Sequence, residues 1–334
     1  MKRMLSVVIC TYNGEAYLPL QLQSLLEQSR PPDEVVIQDD GSNDQSVTIS
    51  EQFAGSAPFP VKVHRNESRL GYANNFLDAT EKASGDLVAF CDQDDVWLPV
   101  KLERCLAFFD EPDLQTVIHS AQLIDGSGAR LGVRFPDYPR TRTFDLTQAS
   151  PWFYPQGFSM VFCRSLITEF SWKDRPISHL EPLPKAHDQW VYFLASAIGK
   201  VAVLSDELVL YRQHQKNTCG AVSQDMSSVM RAALTTGSQA YLASAERARD
   251  FAQTYRRLAE AHAEKYGPAF QRAARFFDET ADIVARRGSM YAERGKLAKL
   301  SRLGESVRRG DYRSPQTGRL GAKALMKDIY VALR

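Results

Sequence analysis

A chain of 334 residues, 44% hydrophobic and 24% charged, has ordinary globular composition and room for one large domain with an appendage, or for two domains. The formal net charge of +1 argues neither for nor against an acidic partner, but residues 1–224 carry 20 Lys+Arg against 28 Asp+Glu, and residues 225–334 carry 21 against 12. With 13 basic against 4 acidic residues in the last fifty, the asymmetry implies an acidic body with a basic tail expected to touch something anionic; nucleic acid is not the expected partner.

Val7–Ile9 reads as a buried strand. The run from Met4 to Cys10 behind Lys2-Arg3 is too short for a signal peptide and lacks a small-residue cleavage site. Leu18, Leu22, Leu25 and Leu26 then recur at helical spacing, and Glu34–Gln38 is a second strand, stopped by Asp39-Asp40-Gly41-Ser42. After a polar helix come Val61–Val63, a helix with Phe76, Ala79, Thr80 and Ala83 on one face, and a fourth strand, Asp86–Cys91. Strands alternating with helices predict βαβ units and a mostly parallel sheet. Ligands bind such sheets beyond the C-terminal strand ends, so the acids after strands two and four are expected to face one crevice.

From residue 115 to 214 the pattern is mixed, with strands at Thr116–Ser120, Ser159–Phe162 and Val201–Leu204 and a helix over Gln189–Ile198; this half should complete the sheet and build an acceptor site. Residues 225–334 read as helical, the last helices separated by Arg309–Arg319 with Gly310, Pro315 and Gly318. The expected division is a body of residues 1–222, in halves 1–110 and 111–222, followed by a basic helical region 223–334. No stretch approaches the ~18 apolar residues of a spanning helix. The five cysteines are odd in number without a C-x-x-C, and Cys10, Cys91 and Cys163 lie in apolar runs, so a reduced, cytoplasmic setting is expected.

Four stations carry candidate chemistry. Asp39-Asp40-Gly41-Ser42 reads either as a capped surface turn or as acceptors for ribose hydroxyls and a base N–H. Asp92-Gln93-Asp94-Asp95 puts three carboxylates in four residues, which repel unless a cation or donors neutralise them; Mg²⁺ or Mn²⁺ with substrate phosphates would, and a solvated acidic loop is the alternative. Asp188, opening a helix after His187, is either an N-terminal cap or a general base for an acceptor hydroxyl. In Tyr211-Arg212-Gln213-His214, followed by Asn217 and Gly220, His214 can ligate metal and Arg212 can offset diphosphate charge, or both can be structural.

In this order and on this framework the stations resemble family 2 glycosyltransferases with the GT-A fold, over residues 4–220. The resemblance implies an α/β, Rossmann-like nucleotide-sugar domain followed here by C-terminal helices. The segment SVVICTYNG (Ser6–Gly14) looks like the family's opening strand and loop, so that Thr11, Tyr12 and Asn13 would lie at the nucleotide, with Tyr12 packed on the base, Asp40 recognising it, and Gly71 beside them. Asp94 and Asp95 match the DxD-type pair that holds ribose, metal and diphosphate, with Asp92 the first acid of that motif, and Asp188 matches the catalytic base; His214 is the further candidate metal ligand and Arg212 the candidate diphosphate contact. The runs CDQDDVWLPVKL, QGFSMVFCRSL, HDQWVYFLAS and YRQHQKN look most like rhamnosyltransferase-type enzymes of cell-surface polysaccharide assembly. That implies an inverting, metal-dependent transfer from a nucleotide-sugar, dTDP-rhamnose first and UDP-sugars next, to a saccharide or lipid-linked acceptor. Processive synthases carry Q-x-x-R-W; the nearest segment here is Gln253-Thr-Tyr-Arg-Arg257, which favours single additions. One departure is Asn74, where relatives often carry Lys or Arg.

Two rivals remain at this level. A nucleotidyltransferase would show a Gly-rich phosphate loop, which Thr11–Gly14 is not. A carbohydrate-binding protein on a dead transferase fold would lack an acidic station. The tail, read as a helix, puts Arg319, Lys323, Lys327, Tyr330 and Arg334 along one side and Leu325, Ile329, Ala332 and Leu333 along another, with Leu320 and Ala324 beside them. Such a helix either lies on an anionic membrane, on the inner face of the cell membrane, or packs on the domain.

Overall fold

The computed structural model of the protein describes residues 3–148, 150–177, 183–214, 237–312 and 321–333. Asn217, Cys219, Gly220, Pro315, Gly318, Arg319, Leu320 and Arg334 lie outside the described residues. The chain divides into two compact units: residues 1–145, 154–175 and 184–221 form one, and 146–153, 176–183 and 222–334 the other.

The first unit is a mixed sheet whose first half is parallel. β1 (Leu5–Thr11) lies between β2 (Glu34–Asp39) and β4 (Leu87–Asp92), parallel to both, and β3 (Val61–Arg65) runs parallel outside β2. β1, β2 and β4 are buried almost without a break, as strands covered on both faces must be. α1 (Leu18–Leu26), α2 (Ser46–Ser56) and α3 (Tyr72–Lys82) make the crossovers. α1 buries Leu18, Leu22 and Leu25 but turns Leu26 outward, whereas Phe76, Ala79, Thr80 and Ala83 are all buried as the spacing predicts. Register then sets the site. Thr11 pairs with Asp39 and Cys10 with Asp92, so the acids ending β2 and β4 flank the end of β1 at one edge of the sheet.

Beyond β4 the sheet turns antiparallel. β9 (Val161–Cys163) lies between β4 and β6 (Leu114–Ile124) and is antiparallel to both. β10 (Lys200–Arg212) runs parallel to β6, and β5 (Val96–Trp97) pairs antiparallel with β10. β10 outruns its apolar stretch Val201–Leu204 because register shifts on either side of Glu207 bend it and restart the pairing at Leu210. β7 (Arg130–Phe135), antiparallel to β6, and β8 (Arg142–Phe144), antiparallel to β10, had no sequence signal; their residues are largely exposed, so no alternation marks them. α4 (Lys101–Leu106), α5 (Ser165–Thr168) and α6 (His187–Ile198) complete the unit. The described cysteines, Cys10, Cys91, Cys105 and Cys163, are free thiols.

The described part of the second unit is chiefly helical: α7 (Ser238–Ala261), α8 (Gly267–Ala292), α9 (Lys296–Arg309) and α10 (Ala322–Leu333). Phe251 and Tyr255 of α7 meet Phe270 and Phe277 of α8, so Tyr255, within the segment nearest to Q-x-x-R-W, is a core residue. α9 stops at Gly310, whose φ of +80° is the left-handed cap that glycine adopts without steric cost. No described helix is long and apolar enough to cross a membrane.

α10 is held by a buried carboxylate. Asp328 accepts from Arg287 Nε at 2.7 Å and Nη2 at 3.0 Å, from Tyr291 Oη at 2.7 Å and from Tyr312 Oη at 2.6 Å. Lys327 donates to Tyr241 Oη at 3.1 Å and lies over the Tyr241 and Tyr291 rings, while Ala324, Leu325 and Ala332 join Met290, Leu303 and Tyr312 in a small core. This corrects the two-sided helix read from sequence: Lys327 and Leu325 both face the other helices. The residues left outside are Met326 (62% exposed), Ile329 and Leu333 on α10, with Leu297 (85%), Leu300 and Val307 on α9. Replacing Asp328 by alanine strands the Arg287 guanidinium, and breaking such a pair costs about 3–5 kcal/mol. Asp328→Ala should therefore accelerate amide hydrogen exchange across Ala322–Leu333; an unchanged pattern would mean that apolar contacts alone hold the helix.

Candidate active site

The end of β2 organises a loop. Asp39 accepts from the N–H groups of Gly41 at 3.0 Å and Ser42 at 2.8 Å, from Thr11 Oγ1 at 2.9 Å, and from the Ser42 hydroxyl. Thr11, expected at the nucleotide, is thereby buried as a brace for Asp39. Asn13, at φ +49°, donates its N–H to Ser42 Oγ and accepts from the Asn43 N–H, which fixes the turn after Tyr12. Asp40 is also engaged by protein donors: Leu70 N–H at 2.7 Å, Asn66 Nδ2 at 2.8 Å and Gly71 N–H at 2.9 Å. The acid expected to read a base thus holds the loop that carries Gly71, whose φ of +78° starts α3. Over the Tyr12 ring, 3.7 Å from its centroid, lies the Arg69 guanidinium.

The acidic loop after β4 splits its residues by direction. Asp94 Oδ2 is 2.8 Å from His214 Nε2, and the His214 ring stacks on Tyr17. Asp95 is fully buried: Oδ1 accepts the Arg212 N–H at 2.9 Å, and Oδ2 is sealed from solvent. Burial, reinforced by Asp94 and Asp92, holds its carboxyl well above the usual range. Asp95 thus lies inside the protein, whereas Asp94, expected beside it as a metal ligand, reaches His214. Arg212, expected at the diphosphate, is likewise turned inward here. Its Nε donates to Asp94 O at 2.8 Å, its Nη1 to Asp125 O and Gly126 O, and its guanidinium lies over Tyr17, so it clamps the acidic loop to the turn after β6. Asp92 is half-buried, and desolvation, then the charges of Asp94 and Asp188, raise its pKa.

Asp188 faces that group from the first turn of α6. Burial lifts its carboxyl to about 6 against the N–H groups of Gln189 and Gly157, and Gln189 donates to Oδ1 at 2.7 Å. Neighbouring His187 is buried between Phe76, stacked at 4.3 Å, and the edge of Phe90, and burial depresses its pKa to about 3, so it stays neutral. A side chain at Gly157 would collide with His187 Nε2, which is why the backbone there can approach α6.

Two residues overlooked in the sequence hold these parts together. Lys101 is fully buried, donates Nζ to Phe158 O at 2.6 Å and lies 3.6 Å over the Trp97 ring; burial pushes its pKa down to about 8. It ties α4 to the Gly157–Ser159 turn that supports Asp188, and a lysine four residues from Trp97 in the apolar run Val96–Leu102 was the available signal. Gln93 accepts the Tyr12 N–H at 2.9 Å and donates to Tyr12 O at 3.2 Å, joining the nucleotide-side loop to the acidic one.

A parallel βαβ half carrying acids at its strand ends, continued by an antiparallel half carrying a further acid, is the GT-A architecture of glycosyltransferases. Residues 6–170, just under half of the chain, match the glycosyl transferase family 2 model. An uncharacterized glycosyltransferase of Nostoc sp. is 30% identical over 219 residues, 64% of this chain and 66% of the relative. An uncharacterized protein of Mycobacterium tuberculosis is 27% identical over 214 residues, 63% and 59% of the two chains. The chain thus spans less than two thirds of the length of these relatives. The poly(ribitol-phosphate) β-N-acetylglucosaminyltransferase TarS of Staphylococcus aureus is 28% identical over 234 residues, 68% of this chain and 39% of TarS. The crystal structure of TarS 1–349 in complex with UDP-GlcNAc superposes with a TM-score of 0.56 at 21% identity, covering 95% of this chain and 98% of that one.

The assignment of Arg212 can be checked by a substitution that keeps its charge. Lysine cannot span the carbonyls that the guanidinium fork reaches. Arg212→Lys should lower unfolding stability by about 2–3 kcal/mol in urea titration. Wild-type stability with weakened nucleotide binding would instead return Arg212 to the diphosphate.

Proposed function

We propose that the chain is an inverting, non-processive glycosyltransferase. It takes a sugar from a dTDP- or UDP-linked donor, with rhamnose favoured, and adds it to a saccharide or lipid-linked acceptor of cell-surface polysaccharide assembly, in the cytoplasm. The observation that carries this reading is Asp188: a half-buried carboxyl with its pKa lifted to about 6, across from the acidic end of β4. At neutral pH it is ionised yet basic enough to take a hydroxyl proton. In the proposed reaction the acceptor oxygen attacks the anomeric carbon as Asp188 removes its proton, and the nucleoside diphosphate departs from the opposite face. The UDP-GlcNAc bound by TarS 1–349 supports a uridine donor, and the rhamnosyltransferase-like runs support dTDP-rhamnose.

Asp94 and His214 are the pair that fits a divalent ion, an oxygen and a nitrogen ligand with substrate phosphates completing the shell. Among the described residues no group of three or more His, Cys, Asp or Glu side chains is placed to hold a metal. Mg²⁺ or Mn²⁺ bound there would supply positive charge against the departing diphosphate.

Asp188→Asn should cut transfer by about 10²–10⁴-fold while leaving nucleotide affinity intact. Because the carboxyl must be ionised to act, wild-type kcat/KM should rise with pH through about 6. A variant with near-wild-type rates, or a profile flat across that range, would exclude Asp188 as the base. Excess EDTA should abolish transfer and either Mg²⁺ or Mn²⁺ restore it; full turnover in demonstrably metal-free enzyme would contradict the metal assignment.

In this reading the acceptor sits at a membrane, and the outer side of α9 and α10 is the surface that meets it. Exposed Leu297, Met326, Ile329 and Leu333 are accompanied by Lys296, Arg302, Arg309 and Lys323, a combination suited to anionic lipid. Full-length protein should sediment with anionic vesicles at low salt and much less at high salt. Leu297→Ser/Met326→Ser/Leu333→Ser should stay in solution while folded; equal sedimentation of the two would remove this surface from the proposal.

A further inference from the structure

Arg175 carries a charge that no carboxylate among the described residues balances; the nearest aromatic face is the Trp172 ring, 5.6 Å from the guanidinium carbon. Nη2 donates to Asn74 Oδ1 at 2.5 Å, Nη1 to Trp172 O at 2.7 Å and Nε to Lys185 O, all neutral acceptors, and no carboxylate among the described residues pairs with it. The side chain is half-buried, and burial lowers its pKa. A desolvated cation without a counter-ion is costly, and among the described residues these three bonds leave two of the five guanidinium N–H donors unused.

Its partners place that charge within the site. Asn74 is in the first turn of α3, three residues after Gly71, which Asp40 holds by its N–H. Lys185 is three residues before Asp188, and the Arg175 charge reaches His187 at the start of α6. The guanidinium thus links the loop below Tyr12 to the helix that carries the proposed base. The leaving group of the proposed donor spans the same interval, since its base belongs at Tyr12 and its anomeric carbon near Asp188.

We infer that Arg175 binds the diphosphate of the nucleotide-sugar, supplying from a distant segment the positive charge that position 74, an asparagine, lacks. This rests on the donor reading above. A guanidinium placed so makes paired, charge-assisted bonds to phosphate oxygens and stabilises the charge that grows there as the glycosidic bond breaks.

The test is calorimetric titration of the full chain with UDP, dTDP and GDP, for wild type, Arg175→Gln and the double variant Asn74→Lys/Arg175→Gln, with thermal unfolding of each. Arg175→Gln should raise Kd for the preferred diphosphate by about 10- to 100-fold. The double variant, with a cation restored from the other side of the contact, should recover much of that loss. Unchanged affinity in folded Arg175→Gln would overturn the inference. So would a loss that the double variant, folded as well as wild type, does not recover, because Arg175 would then be structural. Failure of wild type to bind any of the three diphosphates would instead overturn the donor reading, and this inference with it.

Discussion

Three carboxylates within four residues at the end of a buried strand cannot all stay charged unless the protein supplies something positive, and that constraint organises the first unit. Asp95 goes furthest inward and is met by the Arg212 N–H, while the Arg212 guanidinium reaches round to hold the Asp94 carbonyl. Lys101, buried against Trp97, partly offsets the charges of Asp92 and Asp95. Between them these contacts keep Asp95 inside while Asp94 faces His214. They also tie the acidic loop to its neighbours, Arg212 to the turn after β6 and Lys101 to the turn beneath Asp188.

What could be read in the sequence was whatever leaves a periodic or clustered trace. The apolar runs of β1, β2 and β4 and the helix spacing of α3 predicted the parallel half, and with it the common edge for Asp39, Asp40 and Asp92. The antiparallel half was harder, because β7 and β8 are exposed on an already formed sheet and carry no alternation. Residue roles were hardest. Arg212 looks like a phosphate ligand in a linear motif, yet the carbonyls of Asp94, Asp125 and Gly126, all distant from it in sequence, claim its fork. Arg175 carried no motif, since its meaning depends on Asn74, 101 positions away.

The helical unit shows how charge and burial can trade places along a short helix. In α10 the acid is inside and several apolar side chains are outside, because Asp328 finds Arg287 and two tyrosine hydroxyls together in one place. Amphipathic reading from sequence assumes that apolar residues choose the inside. Here a buried ionic contact shares the inner face with Ala324, Leu325 and Ala332, and the remaining apolar residues lie outside.

The pin between Gln93 and Tyr12 bears on how this site can change over generations. Gln93 passes through the space a side chain at position 14 would occupy, its Oε1 standing only 2.1 Å from an ideal Cβ there. Any larger residue at 14 displaces a flexible amide, not the main chain, so it breaks the pin without wrecking the fold. Positions 14 and 93 are thus a linked pair for evolution. A lineage that exchanges the glycine is released from keeping the glutamine, and with it from holding the two loops in step.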